Sequence, residues 1–232
     1  MRRISGFSLL LIFVSLGACQ SQTGSASLDT EDQKASYGIG HQMGSQLAPA
    51  ESHIDIDAFL AGVRDGIAGN DPDLPQEEIQ VAVQALSETV MAEETARREA
   101  EAETNATEGV AFLAENGAKD GITVTESGLQ YEVITAGEGA TPTPEDRVSI
   151  QYKGTLLDGT QFDSSYDRGQ PATFGVMGVI PGFSEGLQLM PVGSHYRFFI
   201  PSELGYGVNG SGQYIGPNAT LIFEVEMLEI IQ

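Results

Sequence analysis

The 232-residue sequence has no tryptophan, one cysteine and three histidines, and its 11 Lys+Arg face 33 Asp+Glu, a formal net charge of -22. All but the missing tryptophan exclude something. A single cysteine (Cys19) rules out a disulfide framework or a multi-thiol metal site. His41, His53 and His195 are scattered, and no H-x-x-x-H or C-x-x-C spacing occurs, so neither zinc nor haem is expected and no cofactor or metal is assigned. So acidic a surface repels phosphate backbones, which argues against a nucleic-acid partner. Apolar residues still make up 41% of the chain, enough for a real core in one large domain or two small ones.

The first apolar run, Phe7 to Leu16, is too short to span a bilayer and follows Arg2-Arg3. Leu16-Gly17-Ala18 then sets small residues before Cys19. This order resembles the lipobox of bacterial lipoproteins: residues 1–18 read as a signal peptide and Cys19 as the site of lipid attachment. Gln20, where an Asp would favour inner-membrane retention, points to the outer membrane. Residues 19–30 are small, polar and aperiodic, as a flexible tether would be.

Residues 31–118 carry helical patterns. Thr30 and Gln33 form a possible capping box, and Ile39, Met43 and Leu47 recur at intervals of four before Pro49. A second stripe (Phe59, Leu60, Val63, Ile67) follows Asp55 or Asp57 and stops near Gly69. The third pattern begins near Pro75, carries Ile79, Val83, Leu86 and Val90, and extends to Gly117. Between Ala92 and Glu108 it holds no large apolar residue, so a solvated connecting rod of about 60 Å is expected there, with an acidic disordered linker as the alternative. Three such helices cannot bury their own stripes, and a homodimer through them is the economical solution.

Beyond Gly121 the pattern changes to short β-branched and aromatic runs between Gly/Pro turns: LQYEVI, RVSIQY, HYRFFI and TLIFEVEMLEII. Leu221, Phe223, Val225 and Met227 alternate with Glu224 and Glu226, the mark of a half-buried antiparallel strand. Asp158-Gly159 signals a hairpin, and one short helix is expected at Ser184–Leu189. The string Gly205-Tyr-Gly-Val-Asn-Gly210 satisfies G-x-G-x-x-G but leads into a strand, so it offers no helix N-terminus to a pyrophosphate. G-x-S-x-G is absent, and the sequons at Asn105, Asn209 and Asn218 read as chance.

The runs QYKGTLLDGTQFDSSYDRGQP, VIPGFSEGLQLMPVGSHYRFFIP, GYG and PNATLIFEVEML, in that order, resemble the FKBP-type peptidyl-prolyl cis-trans isomerases, above all the extracytoplasmic Mip and FkpA-like members. KASYGIGHQMGSQL and IDIDAFLAGVRDGIAG resemble the helical domain of that subfamily. The resemblance implies an α+β protein: a helical dimerisation domain with a long connecting helix over 31–118, then a curved antiparallel sheet wrapped on one short helix over 119–232.

Carried over position by position, it implies a catalytic set of Asp163, Tyr206, Tyr152, Phe162 and Phe223. Phe183, Val179, Ile180, Ile215, Arg168 and Phe174 would bind substrate, with a Val179 or Ile180 N–H open to the substrate chain and Asp163 bonded to Tyr152 and balanced by Arg168. Three positions depart from the common pattern: Phe183 where many members have Trp, Ala172 where some have an aromatic, and Ser211 where small cytosolic members often have His. Without the resemblance, the Phe and Val residues read as plain core and Asp163 and Arg168 as solvated charges. The implied activity is isomerisation of X–Pro bonds in unfolded or exported proteins of the bacterial envelope, without a cofactor and open to the family's macrolide inhibitors. Two other readings stay open: a holdase chaperone that grips prolines without turnover, and a surface virulence lipoprotein using the fold as a scaffold.

Overall fold

The computed structural model describes residues 27–231. The leader, Cys19 and most of the tether lie outside the described residues.

The chain divides into two compact units, one ending at Ile54 and the other beginning at Asp55. In the first, helix α1 (Glu31–Leu47) starts at the expected capping box: Thr30 accepts from the Gln33 N–H, and the Gln33 side chain accepts from the Thr30 N–H. A six-residue 3-10 segment, Ala48–His53, with Pro49 near its start then follows. No residue of α1 is buried, and Ile39 is 62% exposed.

In the second unit, α2 (Ile56–Ala68) is capped by the Asp55 side chain, which accepts from the Ala58 N–H, and ends at Gly69 in the left-handed region (φ 72°). It too buries nothing, and Ile67 is 85% exposed. Helix α3 runs unbroken from Gln76 to Gly117, so the acidic stretch is helical and not a disordered linker. No helix among the described residues is long and apolar enough to cross a membrane.

Seven antiparallel strands follow: β1 (Ile122–Val124), β2 (Gln130–Thr135), β3 (Arg147–Thr155), β4 (Gln161–Ser164), β5 (Ala172–Gly175), β6 (His195–Ile200) and β7 (Leu221–Ile231). Their order is β1-β2-β6-β7-β3-β4, and β5 pairs with the first half of β3 where β4 pairs with the second. The Asp158-Gly159 hairpin joins β3 to β4, with Gly159 at φ 87°. Helix α4 spans Pro181–Leu187 rather than Ser184–Leu189: Pro181 takes the first helical position, where its missing N–H costs nothing.

Alternation sets the core. Ile150 and Tyr152 of β3, Phe198 and Ile200 of β6, and Leu221, Phe223, Val225 and Met227 of β7 meet Phe183 and Leu187 of α4. The opposite face is polar and paired: Arg197 lies directly across from Glu132 and Glu224 and reaches both, at 2.9 and 2.5 Å.

The expected solvated rod differs from what is found along half its length. Met91 to Ala100 is exposed throughout, but Glu101, Ala102, Asn105, Gly109, Phe112 and Asn116 are half-buried or buried. Phe112 packs on Phe199 with ring centroids 5.8 Å apart, and Asn116 donates to Gln130 at 3.0 Å. The sequence reading missed this because the contacts above Phe112 are polar.

Candidate functional site

A cavity of ≈ 650 Å³ opens on the α4 face of the sheet. Phe183 and Phe223 meet in it with centroids 4.8 Å apart, Phe162 stands edge-on to Phe223 at 5.4 Å (81°), and Tyr152 turns its edge to Phe174 and Phe183 at 5.7 and 6.2 Å. Offset and edge-on contacts of this kind let aromatic rings form a rigid apolar wall. The cluster depends on Gly154, which pairs with both Asp163 and Phe223. A Cβ there would lie 2.6 Å from the Phe162 ring and 2.8 Å from the Phe223 ring.

One polar corner interrupts the wall. The Tyr152 hydroxyl donates to Asp163 Oδ2. Arg168 bridges the pair, Nη1 donating to Asp163 Oδ1 at 2.5 Å and Nη2 to the Tyr152 hydroxyl at 2.8 Å. The Ser164 N–H also donates to Asp163, at 2.8 Å. Burial opposes the charge on Asp163, but the bonds from Tyr152 and Arg168 outweigh it and hold the carboxyl below its usual range. Burial, reinforced by the bond to Asp163, pushes Tyr152 up to about 12. Burial, with Asp163 facing it, also raises Tyr206. At neutral pH the corner therefore holds one carboxylate and two protonated phenols.

The structure brings together almost every residue anticipated for the site. Tyr152, Phe162, Asp163, Phe174, Val179, Ile180, Phe183, Tyr206, Ile215 and Phe223 all line the cavity. Arg168 does not: it stands behind the wall, its guanidinium 5.4 Å from the Tyr152 ring centroid, and reaches the cavity only through Tyr152 and Asp163. Ala172 does not line it either, since the wall on that side is Phe174. The Val179 and Ile180 N–H groups have no partner among the described residues, and both residues line the cavity.

Sequence reasoning missed Tyr214 and Gly178, which also line the cavity, as does Ser211. Ser211 and Ile215 exchange backbone bonds at 2.7 and 3.2 Å, closing a small rim hairpin that carries Tyr214. A stretch of Gly210, Gly212 and Gly216 around one tyrosine was the available signal.

Nothing in this arrangement is a nucleophile beside a base. It is an aromatic pocket with a hydroxyl donor, two backbone N–H groups without partners and one fixed carboxylate. Such a site can hold a small ring and reshape the electrostatics of an amide next to it.

Comparison with known proteins agrees with that chemistry. Residues 32–133 match the family described as the domain amino terminal to FKBP-type peptidyl-prolyl isomerase, and residues 138–228 match FKBP-type peptidyl-prolyl cis-trans isomerase. The chain is 48% identical over 208 residues to an FKBP-type 22 kDa peptidyl-prolyl cis-trans isomerase of Escherichia coli, covering 88% of this chain and 98% of the relative. It is 41% identical to the outer membrane protein MIP of Legionella longbeachae, over 94% and 93% of the two. The crystal structure of FkpA from Escherichia coli superposes with a TM-score of 0.66 at 36% identity, covering 88% of this chain and 98% of that one.

Proposed function

The chain belongs to the family of FKBP-type peptidyl-prolyl cis-trans isomerases, and on that premise we propose that it assists the folding of exported proteins in the bacterial envelope by rotating X–Pro bonds in the aromatic cavity. The barrier to that rotation is about 20 kcal/mol because the twisting amide loses its conjugation. No bond to carbon is made or broken, so the site has only to bind the twisted amide better than either planar form.

The observation that carries the reading is the pairing of an aromatic cavity with a single charged corner. Phe183, Phe223 and Phe162 would take the proline ring and exclude water. Tyr206, protonated at neutral pH, would donate to a substrate carbonyl, and the free Val179 or Ile180 N–H would hold the chain beyond it. Asp163 would set a negative charge beside the amide carbonyl, whose carbon grows more electron-poor as conjugation fades, while Arg168 fixes the carboxylate's orientation from behind.

Two further elements belong to the proposal. Cys19 carries a lipid anchor to the outer membrane, a location that fits the name of the Legionella relative. The exposed stripes of α1 and α2 are covered by a second copy of the chain. Sedimentation of Ile39→Asp beside the unaltered chain tests the dimer, and loss of metabolic lipid labelling in Cys19→Ser tests the anchor.

The decisive assay couples a protease to a short X–Pro peptide, using tagless protein beginning at Ser21. Acceleration blocked by rapamycin supports the reading. A folded sample with no acceleration refutes it and leaves the chaperone reading, to be judged by suppression of client aggregation.

A further inference from the structure

From Arg98 to Asn105, one face of α3 meets the segment that carries the cavity rim. The Arg98 guanidinium donates to the Asn209 carbonyl at 3.0 Å, the Asn105 side chain donates to the Pro217 carbonyl at 2.8 Å, and the Asn218 side chain donates to the Ala102 carbonyl at 3.2 Å. Positions 98, 102, 105, 109, 112 and 116 repeat at alternating intervals of four and three, which keeps them on one side of a helix.

Two glycines mark where α3 and the sheet region come close. Gly109 sits inside a long helix, where glycine costs about 1 kcal/mol against alanine, yet a Cβ there would stand 2.4 Å from the Thr220 hydroxyl. At Gly216 a Cβ would lie 2.0 Å from the Glu101 carboxylate. Asn218 is the one residue other than glycine with positive φ (57°) among those described. It is tied at both ends, its side chain to α3 and its N–H to the Gly207 carbonyl at 2.8 Å.

The segment held in this way, 207–218, runs on from Tyr206 and contains Ser211, Tyr214 and Ile215 of the cavity rim. We propose that α3 sets the position of that rim, with Asn105 and Arg98 as positioning residues that touch no substrate and act through the Pro217 and Asn209 carbonyls. The claim rests on the functional reading above and adds to it that the isomerase pocket is completed by a helix outside the sheet.

The test uses the full mature chain. Asn105→Ala removes the donor to Pro217, and Gly109→Ala pushes α3 off Thr220. Since the rim grips substrate in planar and twisted forms alike, each variant is expected to raise KM for a short X–Pro peptide about fivefold, the worth of one hydrogen bond, with kcat within about twofold. The backbone amide signals of Tyr214 and Ile215 should shift in NMR spectra while those of Ser164 and Ser165 stay in place.

Unaltered kinetics and unaltered Tyr214 and Ile215 signals in both folded variants overturn the proposal. So does a fall in thermal stability with neither KM nor those signals affected, which would make the contact plain packing. If the unsubstituted chain itself gives no acceleration, the functional reading fails, and the amide signals alone decide whether α3 holds the rim.

Discussion

The sheet region and the helices before it solve the burial problem differently. In the sheet region Ile150, Leu187, Phe198, Leu221 and Val225 are fully shielded from solvent. In α1 and α2 no residue is buried, although their apolar stripes are as regular as those of the strands. A sheet closed on a helix makes its own core, whereas an amphipathic helix only offers half of one. The aromatic cavity is built against that core, because a binding wall needs rings held from behind.

The sharpest way to break this contrast is to cut into both halves. Phe198→Ala should cost about 3–5 kcal/mol, the usual loss for a deleted core aromatic. Ile67→Ala in dilute single chain should stay within about 0.5 kcal/mol. Chemical denaturation measures both, and equal costs would mean that the helical half already has a core of its own.

Within the sheet region the comparison narrows to the cavity. Tyr206→Phe and Asp163→Asn keep the shape and remove one donor or one charge. Each should lower kcat/KM on a short X–Pro peptide by about tenfold, the equivalent of roughly 1.4 kcal/mol of lost transition-state preference. Sedimentation of either variant should match that of the unsubstituted chain, since neither residue lies on α1 or α2. A drop in activity that followed association state would erase the division of labour.

How much of this was legible beforehand follows the same division. Local rules placed the helix ends: the Thr30 box, Asp55, Gly69 and Pro75 each mark a boundary through one backbone group that needs a partner or a special φ. Alternation in β7 and the turn chemistry of Asp158-Gly159 likewise survive without tertiary information. The cavity residues were reachable only through family resemblance, because nothing in a Phe or a Val distinguishes a binding wall from ordinary core. β1 and β5, at three and four residues, are too short to show a period. The docking of α3 was missed for a physical reason: hydropathy patterns record apolar contacts, and Arg98, Ala102 and Asn105 meet the rim through hydrogen bonds instead.

pH gives a weaker but independent view. Asp163 is held below its ordinary 3.8, so its contribution to stability is full above that value and is lost as pH falls through its native titration. Tyr152 is raised from 10.0 to about 12, so its contribution is full below pH 10 and fades as pH climbs toward 12. Activity on a short peptide should therefore be flat from about pH 5 to 9. A bell centred near neutrality would mean that a histidine had entered the mechanism, which the cavity lining does not predict.

The smallest expected effect separates charge from geometry. Arg168 makes two bonds from two nitrogens, one to Asp163 and one to the Tyr152 hydroxyl, and its planar fork fixes the spacing and direction of both. Arg168→Lys keeps the positive charge but replaces two fixed donor positions with one nitrogen on a flexible stem, which loosens the aim of both partners. If Asp163 needs only a nearby cation, kcat/KM will not change. If it needs to be aimed, kcat should fall by about two- to threefold, with KM nearly constant because Arg168 does not line the cavity. The second outcome is the expected one: the corner is rigid because three side chains share three bonds, and a point charge at the end of a flexible chain cannot reproduce that.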